Sequence, residues 1–298
     1  MRTENNKVIQ KTLNLFLLLF LLFGALLGGV VEIFYRSQLA IFFDDLKKVE
    51  SYNITLQSKV IGDDFESIIS DLLFLAGQNE LHEFLNTGDQ DILRDIETEY
   101  VAFSFRKKVY DQLRYLDETG FEIVRVNYNN GHPVAVGQHE LQDKSQRYYF
   151  TDAFRLQKEA IFASPLDLNI EHGEIEQPFK PMIRFGTPVF DHEGNKLGIV
   201  LVNYLAQNLL DDIATSINPD RGNSMLINSQ GYWLLNKQKQ DEWGFMIENR
   251  ADRTFALDYP EEWANILSTE SGQIHTDNGL FTFRKIYPLQ EGIHSSTG

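Results

Sequence analysis

Twenty consecutive residues without a charge, Thr12 to Val31 (TLNLFLLLFLLFGALLGGVV), constrain this chain more than any other feature. At 1.5 Å per residue a helix of that length spans about 30 Å, the thickness of a bilayer's hydrocarbon core. No small-residue cleavage pattern precedes Glu32 and Arg36, so the segment reads as a retained anchor, a transmembrane helix over 12–35, and not as a removed signal peptide. Arg2, Lys7 and Lys11 precede it with only Glu4 opposing, which assigns 1–11 to the cytoplasm and the chain after about residue 36 to the far side of the membrane. Gly24 and Gly28 form a G-x-x-x-G pair; it either lets two copies approach in a homodimer or is an ordinary use of small residues in a membrane helix.

The remainder has globular composition: 43% of the 298 residues are hydrophobic and 12% aromatic, enough for a core. The formal net charge is −16, although the flank before the anchor is net positive, so the acidic surplus lies in the exported part. Such a surface repels nucleic acid. With no cysteine, disulfides, thiol nucleophiles and thiolate metal sites are excluded. From 37 to 105 breakers are few, and Phe42, Leu46, Val49, Leu56 and Val60 recur at helical spacings. This predicts a long helical stalk leaving the membrane, then further helices after "NTGD", with Thr87 or Asp89 as a cap.

The texture changes near Val109. "YLDETGFEIV" (Tyr115 to Val124), "VFDHEGNKLGIV" (from Val189) and "LINSQGYWLL" (Leu226 to Leu235) share one design, a strand, an Asp or Asn followed three residues later by Gly, and a second strand. Helical stretches over 147–156, 206–217 and 259–268 alternate with these hairpins, and a last hairpin turns at Asp277-Asn278-Gly279. The prediction is an α+β chain with two mixed sheet units, over 106–217 and 218–290, followed by a tail over 291–298. The ending "EGIHSSTG" carries no second apolar span, and the sequence is expected to be a fragment that stops before the membrane is re-crossed.

Candidate site residues come from charge set among apolar neighbours. "DKSQRYYF" puts Lys144 and Arg147 beside Tyr148, Tyr149 and Phe150; these either start a helix in solvent or point into a pocket, and Arg147 with Tyr149 are taken as the pocket pair. A guanidinium binds a carboxylate bidentately while ring faces cover the rest of a ligand or a cation. Arg125 shares a strand face with Ile123 and Asn127, where it either lines a pocket or pairs with an acid. "PFKPMIRFGTP" adds Lys180 and Arg184, the latter with Asp167 as a possible ion-pair partner, and Asp167 and Asn169 either hold a ligand amine or cap a loop. "HEFLN" at His82 lacks the second histidine of a zinc helix. "DLNIEHG" has His172 where a calcium loop needs glycine, and the seven histidines show no metal-ligand spacing. No cofactor or metal is expected, and no nucleophile-and-base spacing indicates an enzyme.

The anchor, the long helix and two consecutive hairpin-rich units, with "DKSQRYYFTDAFRL" and "IFASPLDLNIEHGEIEQPFKPMIRFGTPVF" in the first, resemble the double Cache (tandem PAS-like) sensor domain of bacterial membrane receptors such as sensor histidine kinases. The resemblance spans about Ser37 to Leu289. It implies two PAS-like units, a ligand pocket in the membrane-distal one at 106–217, and an output module, kinase or diguanylate cyclase, beyond this sequence. Amino-acid-binding members carry an Arg-x-Trp-Tyr pattern; here Arg147 matches, while Tyr149 and Phe150 replace the Trp and Tyr, and Gln142 stands where a further Tyr is expected. The implied ligand is a small organic anion or zwitterion: a carboxylate, an amino acid or an amine. A chemoreceptor sensor, or a ligand-free domain that recognises a periplasmic protein, is the alternative.

Overall fold

The computed structural model describes residues 2–171, 173–216 and 222–289. The tail over 291–298, the boundary between the two expected sheet units at 217 and 218, and His172 fall outside them, as do the side chains of Arg2 and Lys7. By backbone packing the chain forms two units, Met1–Ile54 and Thr55–Gly298.

The chain's first proline is Pro133, so nothing before it forbids helix, and α1 runs over Arg2–Ala76. Its part in the first unit includes the uncharged span, whose most apolar window has a mean hydropathy of 2.5 and is not buried in protein. The side chains of Phe42 and Val49 are also exposed. In the second unit, Leu56 and Val60 remain exposed and the buried stripe begins one residue later. Ile61, Phe65, Ile68, Leu72 and Leu75, at steps of four and three, enter the main core. The helix stops at Gly77, and a short turn leads to α2 (Asn79–Thr87). Gly88 ends α2 at φ 68, and Asp89 caps α3 (Gln90–Lys107), its carboxylate accepting from the Asp91 N–H at 2.8 Å.

The main sheet comprises β1 (Tyr110–Asp117), β2 (Glu122–Asn127), β3 (Val134–Ala135), β4 (Phe162–Ala163), β5 (Asp167–Leu168), β8 (Pro181–Phe190) and β9 (Lys196–Leu205). Helix α4 (Tyr148–Arg155) precedes β4, and a small hairpin, β6 (Ile170–Glu171) with β7 (Glu174–Ile175), precedes β8. The strand order is β3-β2-β1-β9-β8-β4, with β5 also on β8, and every pair is antiparallel. Alternation sorts the central strands into two faces. Leu113, Tyr115, Val124, Val126, Ile183, Phe185, Val200 and Val202 pack with α1 and α3, Phe65 meeting Phe185 at 5.9 Å between ring centroids. On the opposite face Leu116, Ile199 and Leu201 pack under Tyr149, Phe150 and Ala153 of α4. Helix α4 covers only part of that face, and the uncovered part is polar.

After β9 come α5 (Gln207–Thr215), the hairpin of β10 (Leu226–Ile227) and β11 (Trp233–Leu235), α6 (Phe255–Asp258), α7 (Pro260–Ser268), and the hairpin of β12 (Ser271–Thr276) and β13 (Gly279–Arg284). Trp233, Phe255, Tyr259 and Phe281 form an aromatic cluster there, while Leu234, Leu235 and Trp243 join the main core.

The three repeated turns are one structure. Asp117, Asp191 and Asn228 each accept through Oδ1 from the N–H groups two and four residues on, and Gly120, Gly194 and Gly231 close them at φ 87, 90 and 85. Gly120 is doubly required, because a Cβ there would lie 2.6 Å from the Cα of Ser145.

Candidate functional site

The polar half of the sheet's α4 side lines a cavity of about 500 Å³. Its floor follows from register: Asn127 lies opposite Gln112, Gln112 opposite Asn203, and Asn203 opposite Arg184, a polar row across four strands. Two residues along β1 from Gln112, and so on the same face, Arg114 lies opposite Arg125. Two guanidiniums set cross-strand repel one another. Glu122, fully buried, stands between them: Arg125 Nη1 donates to its Oε2 at 2.7 Å, and Arg114 Nη1 lies 3.6 Å from its Oε1. Arg114 also donates to Asn203 Oδ1 at 2.6 Å, and Arg125 to the Glu140 carbonyl at 3.1 Å.

The opposite wall is the segment the sequence singled out. The Gly120 carbonyl accepts from the Lys144 N–H at 2.8 Å, tying this segment to the β1–β2 turn; Arg147 occupies the cap position of α4, and Tyr149 faces the sheet. Arg114, Arg147 and Arg184 place their guanidinium carbons 5.3, 5.6 and 5.7 Å from the centroid of the Tyr149 ring, within cation–π range. Arg184 is neutralised: its Nη1 donates to Asp167 Oδ1 at 2.7 Å and its Nη2 to Asn169 Oδ1 at 3.3 Å. Arg147 is exposed, and among the described residues its guanidinium makes no ion pair.

Titration reflects this concentration of charge. Burial raises the phenols of Tyr100, Tyr115 and Tyr204, the last to about 12. Burial is also the largest influence on Tyr149 and acts upward, yet Arg114, Lys144 and Arg147 together outweigh it and hold the phenol below its ordinary value. Burial raises the Asp167 carboxyl against the opposing pull of Arg184.

Of the residues expected from sequence, Arg147, Tyr149, Arg184 and Arg125 line this cavity together. Asp167 stands behind it as the partner of Arg184, and Lys180 is turned away, with Asp111 at 3.2 Å and Glu176 at 2.6 Å. Lys144, read in the sequence as a solvated helix-start residue, also lines the cavity. The sequence reading passed over Arg114, Gln112, Asn203 and Glu122. The alternation that exposed Arg125 was present in "DQLRYLD", where Gln112 and Arg114 stand two apart among apolar residues. Among the described residues no group of three or more His, Asp or Glu could hold a metal ion.

The family model for the sensor domain of bacterial histidine kinases matches residues 63–294. The chain belongs to that family. Structures with a similar fold include the extracellular domain assigned to the histidine kinase vpHK1S-Z8 (23% identity, TM-score 0.71, covering 82% of this chain and 86% of that one). A domain of a sensory box/GGDEF family protein from Vibrio parahaemolyticus is similar over 83% of this chain and 93% of that one, at 23% identity and TM-score 0.73. The ligand-binding domain of the Campylobacter jejuni chemoreceptor Tlp3, in complex with 4-methylisoleucine, is 12% identical with a TM-score of 0.51 over 66% and 72% of the two chains. No curated protein matches the chain. The region described is thus an α+β sensor domain behind an apolar helix of membrane-spanning length, not a catalytic module.

Proposed function

We propose that this sensor domain binds a small organic anion or zwitterion in the cavity under α4, within the membrane-distal unit at 106–217, and passes the event to an output module, most simply a histidine kinase. The observation that carries the reading is the arginine triad around Tyr149, in which the Arg147 guanidinium forms no ion pair among the described residues and feels Asp167 only at longer range. A ligand carboxylate supplies that partner, and the Tyr149 ring covers the adjoining carbon. The Tlp3 ligand, a 4-methylisoleucine, carries such a carboxylate, which supports the class without naming the molecule.

Ligand binding changes signalling only if it favours one of two states. In this reading the receptor is a homodimer anchored by residues 12–35 with the sensor outside the cytoplasm. The ligand draws α4 toward β1 and β8, and the shift reaches α1 through the sheet. The test is thermal denaturation of the full chain in detergent against a panel of carboxylates, amino acids and amines, with Arg147→Ala in parallel. A ligand that raises Tm in the wild type and not in Arg147→Ala is the expected result. If no compound shifts either protein, a ligand-free domain that recognises another periplasmic protein replaces this reading.

A further inference from the structure

Hydrogen bonds along the cavity floor run in one direction. A guanidinium only donates, so Asn203 must turn its Oδ1 to Arg114, where the bond is 2.6 Å long. That leaves the Asn203 amide nitrogen facing Gln112, whose Oε1 accepts from it at 3.3 Å. With its oxygen taken, Gln112 presents Nε2 as the free end of the row. Gln112 is half-buried and lines the cavity, and its Nε2 has no partner among the described residues. Unlike Arg114 Nε and Arg125 Nε, this nitrogen is not sealed off from solvent. Each donor in such a chain polarises the next, so Arg114 strengthens Gln112 as a donor.

The charge of the floor calls for the same kind of partner. Arg114 and Arg125 share the single Glu122, which leaves one guanidinium uncompensated. On the opposite wall Lys144 donates to the neutral Gln142 Oε1 at 2.6 Å, and Arg147 forms no ion pair among the described residues. Arg184 already has Asp167. The other acids that line the cavity, Glu140 and Glu171, are exposed, where water screens them. A ligand with one carboxylate at Arg147 and an uncharged remainder therefore leaves the charge of the floor and the Gln112 donor without a counterpart. An ammonium group in that place is repelled.

We infer that the ligand is a dicarboxylate, with one carboxylate at Arg147 and Lys144 and the other accepting from Gln112 Nε2 in the field of the Arg114 and Arg125 pair. Gln112 is then the residue that selects the second charged group. The inference rests on the proposed anion site and adds the chemistry of the ligand's far end. A cavity of about 500 Å³ encloses a short diacid whole.

Isothermal titration of the full chain in detergent compares succinate, glutarate and adipate with their monoamides and with butyrate, pentanoate and hexanoate, which keep the chain length and lose one charge. The expected result is that at least one diacid binds, and that its monoamide and monoacid bind at least about tenfold more weakly, the loss of one charge-assisted hydrogen bond. Gln112→Glu tests the direction of the bond. Its carboxylate still accepts from Asn203 but meets the ligand as an acceptor, so the preference should reverse and the monoamide should bind more tightly than the diacid. Gln112→Leu should lose most of the preference for the diacid, and the unliganded Tm of each variant shows that it folds. A monoamide or monoacid that matches its diacid in the wild type overturns the dicarboxylate assignment and leaves the anion site standing. A diacid preference that persists in both Gln112 variants overturns the role of Gln112. Failure of every acid to bind overturns both readings.

Discussion

Tyr149 is where the site's electrostatics can be read at a single atom. Burial alone would raise its phenol, as it does for Tyr100 and Tyr115, but Arg114, Lys144 and Arg147 pull it below 10.0. A phenol depressed by folding adds stability that is complete above the unfolded value and disappears as pH falls through the folded one. Stability should therefore rise with pH between the lowered value and about 10. Absorbance titration near 295 nm, wild type minus Tyr149→Phe, should show one phenol ionising below the usual range, and Lys144→Met should move it upward. An unmoved midpoint would mean that the cations do not act on this ring. The same crowding explains why Glu122, which carries no ligand role in sequence terms, is fully buried: it makes two facing arginines tolerable.

At the scale of elements, one hairpin turn is used three times, and only one copy is tied to the site. Gly120 and Gly194 sit at φ 87 and 90 in equivalent turns, but a Cβ on Gly194 meets nothing within 4 Å while one on Gly120 strikes Ser145 backbone. Gly194→Ala should cost about 1 kcal/mol, from the left-handed backbone alone. Gly120→Ala should cost about 2–3 kcal/mol, since the segment holding Lys144 and Arg147 must also shift. Denaturant melts give both figures, and ligand affinity should fall only for Gly120→Ala. Equal costs in the two variants would show that the segment yields freely. The turns were legible in the sequence because their chemistry is local: an Asx side chain and a glycine three residues on suffice. The placement of α4 was not, because it depends on Gly186, where a Cβ would lie 3.1 Å from that of Ala153, a contact between residues far apart in the chain.

For the whole molecule, the charge around the uncharged span predicts a topology, and the absence of cysteine makes it directly measurable. A single cysteine in place of Glu118 should react with a membrane-impermeant maleimide on cells whose outer barrier is opened, while one in place of Asn5 should react only after the inner membrane is breached. The reverse pattern would invert the receptor. The apolar span of membrane-crossing length, the helical character of α1, the α+β class and the hairpins were determined by the sequence itself, since each follows from composition or from spacings within a few residues. Which helical residues are buried was decided by the tertiary structure: the periodicity of Phe42 to Val60 marks helix, but Ile61 to Leu75 meet the sheet. The arginines divide in the same way. Their presence was plain in the sequence, yet Lys180 is spent on Asp111 and Glu176 while Arg114 joins the cavity, because charge pairing depends on which strands lie side by side, and strand register is set by contacts that cross nearly a hundred residues.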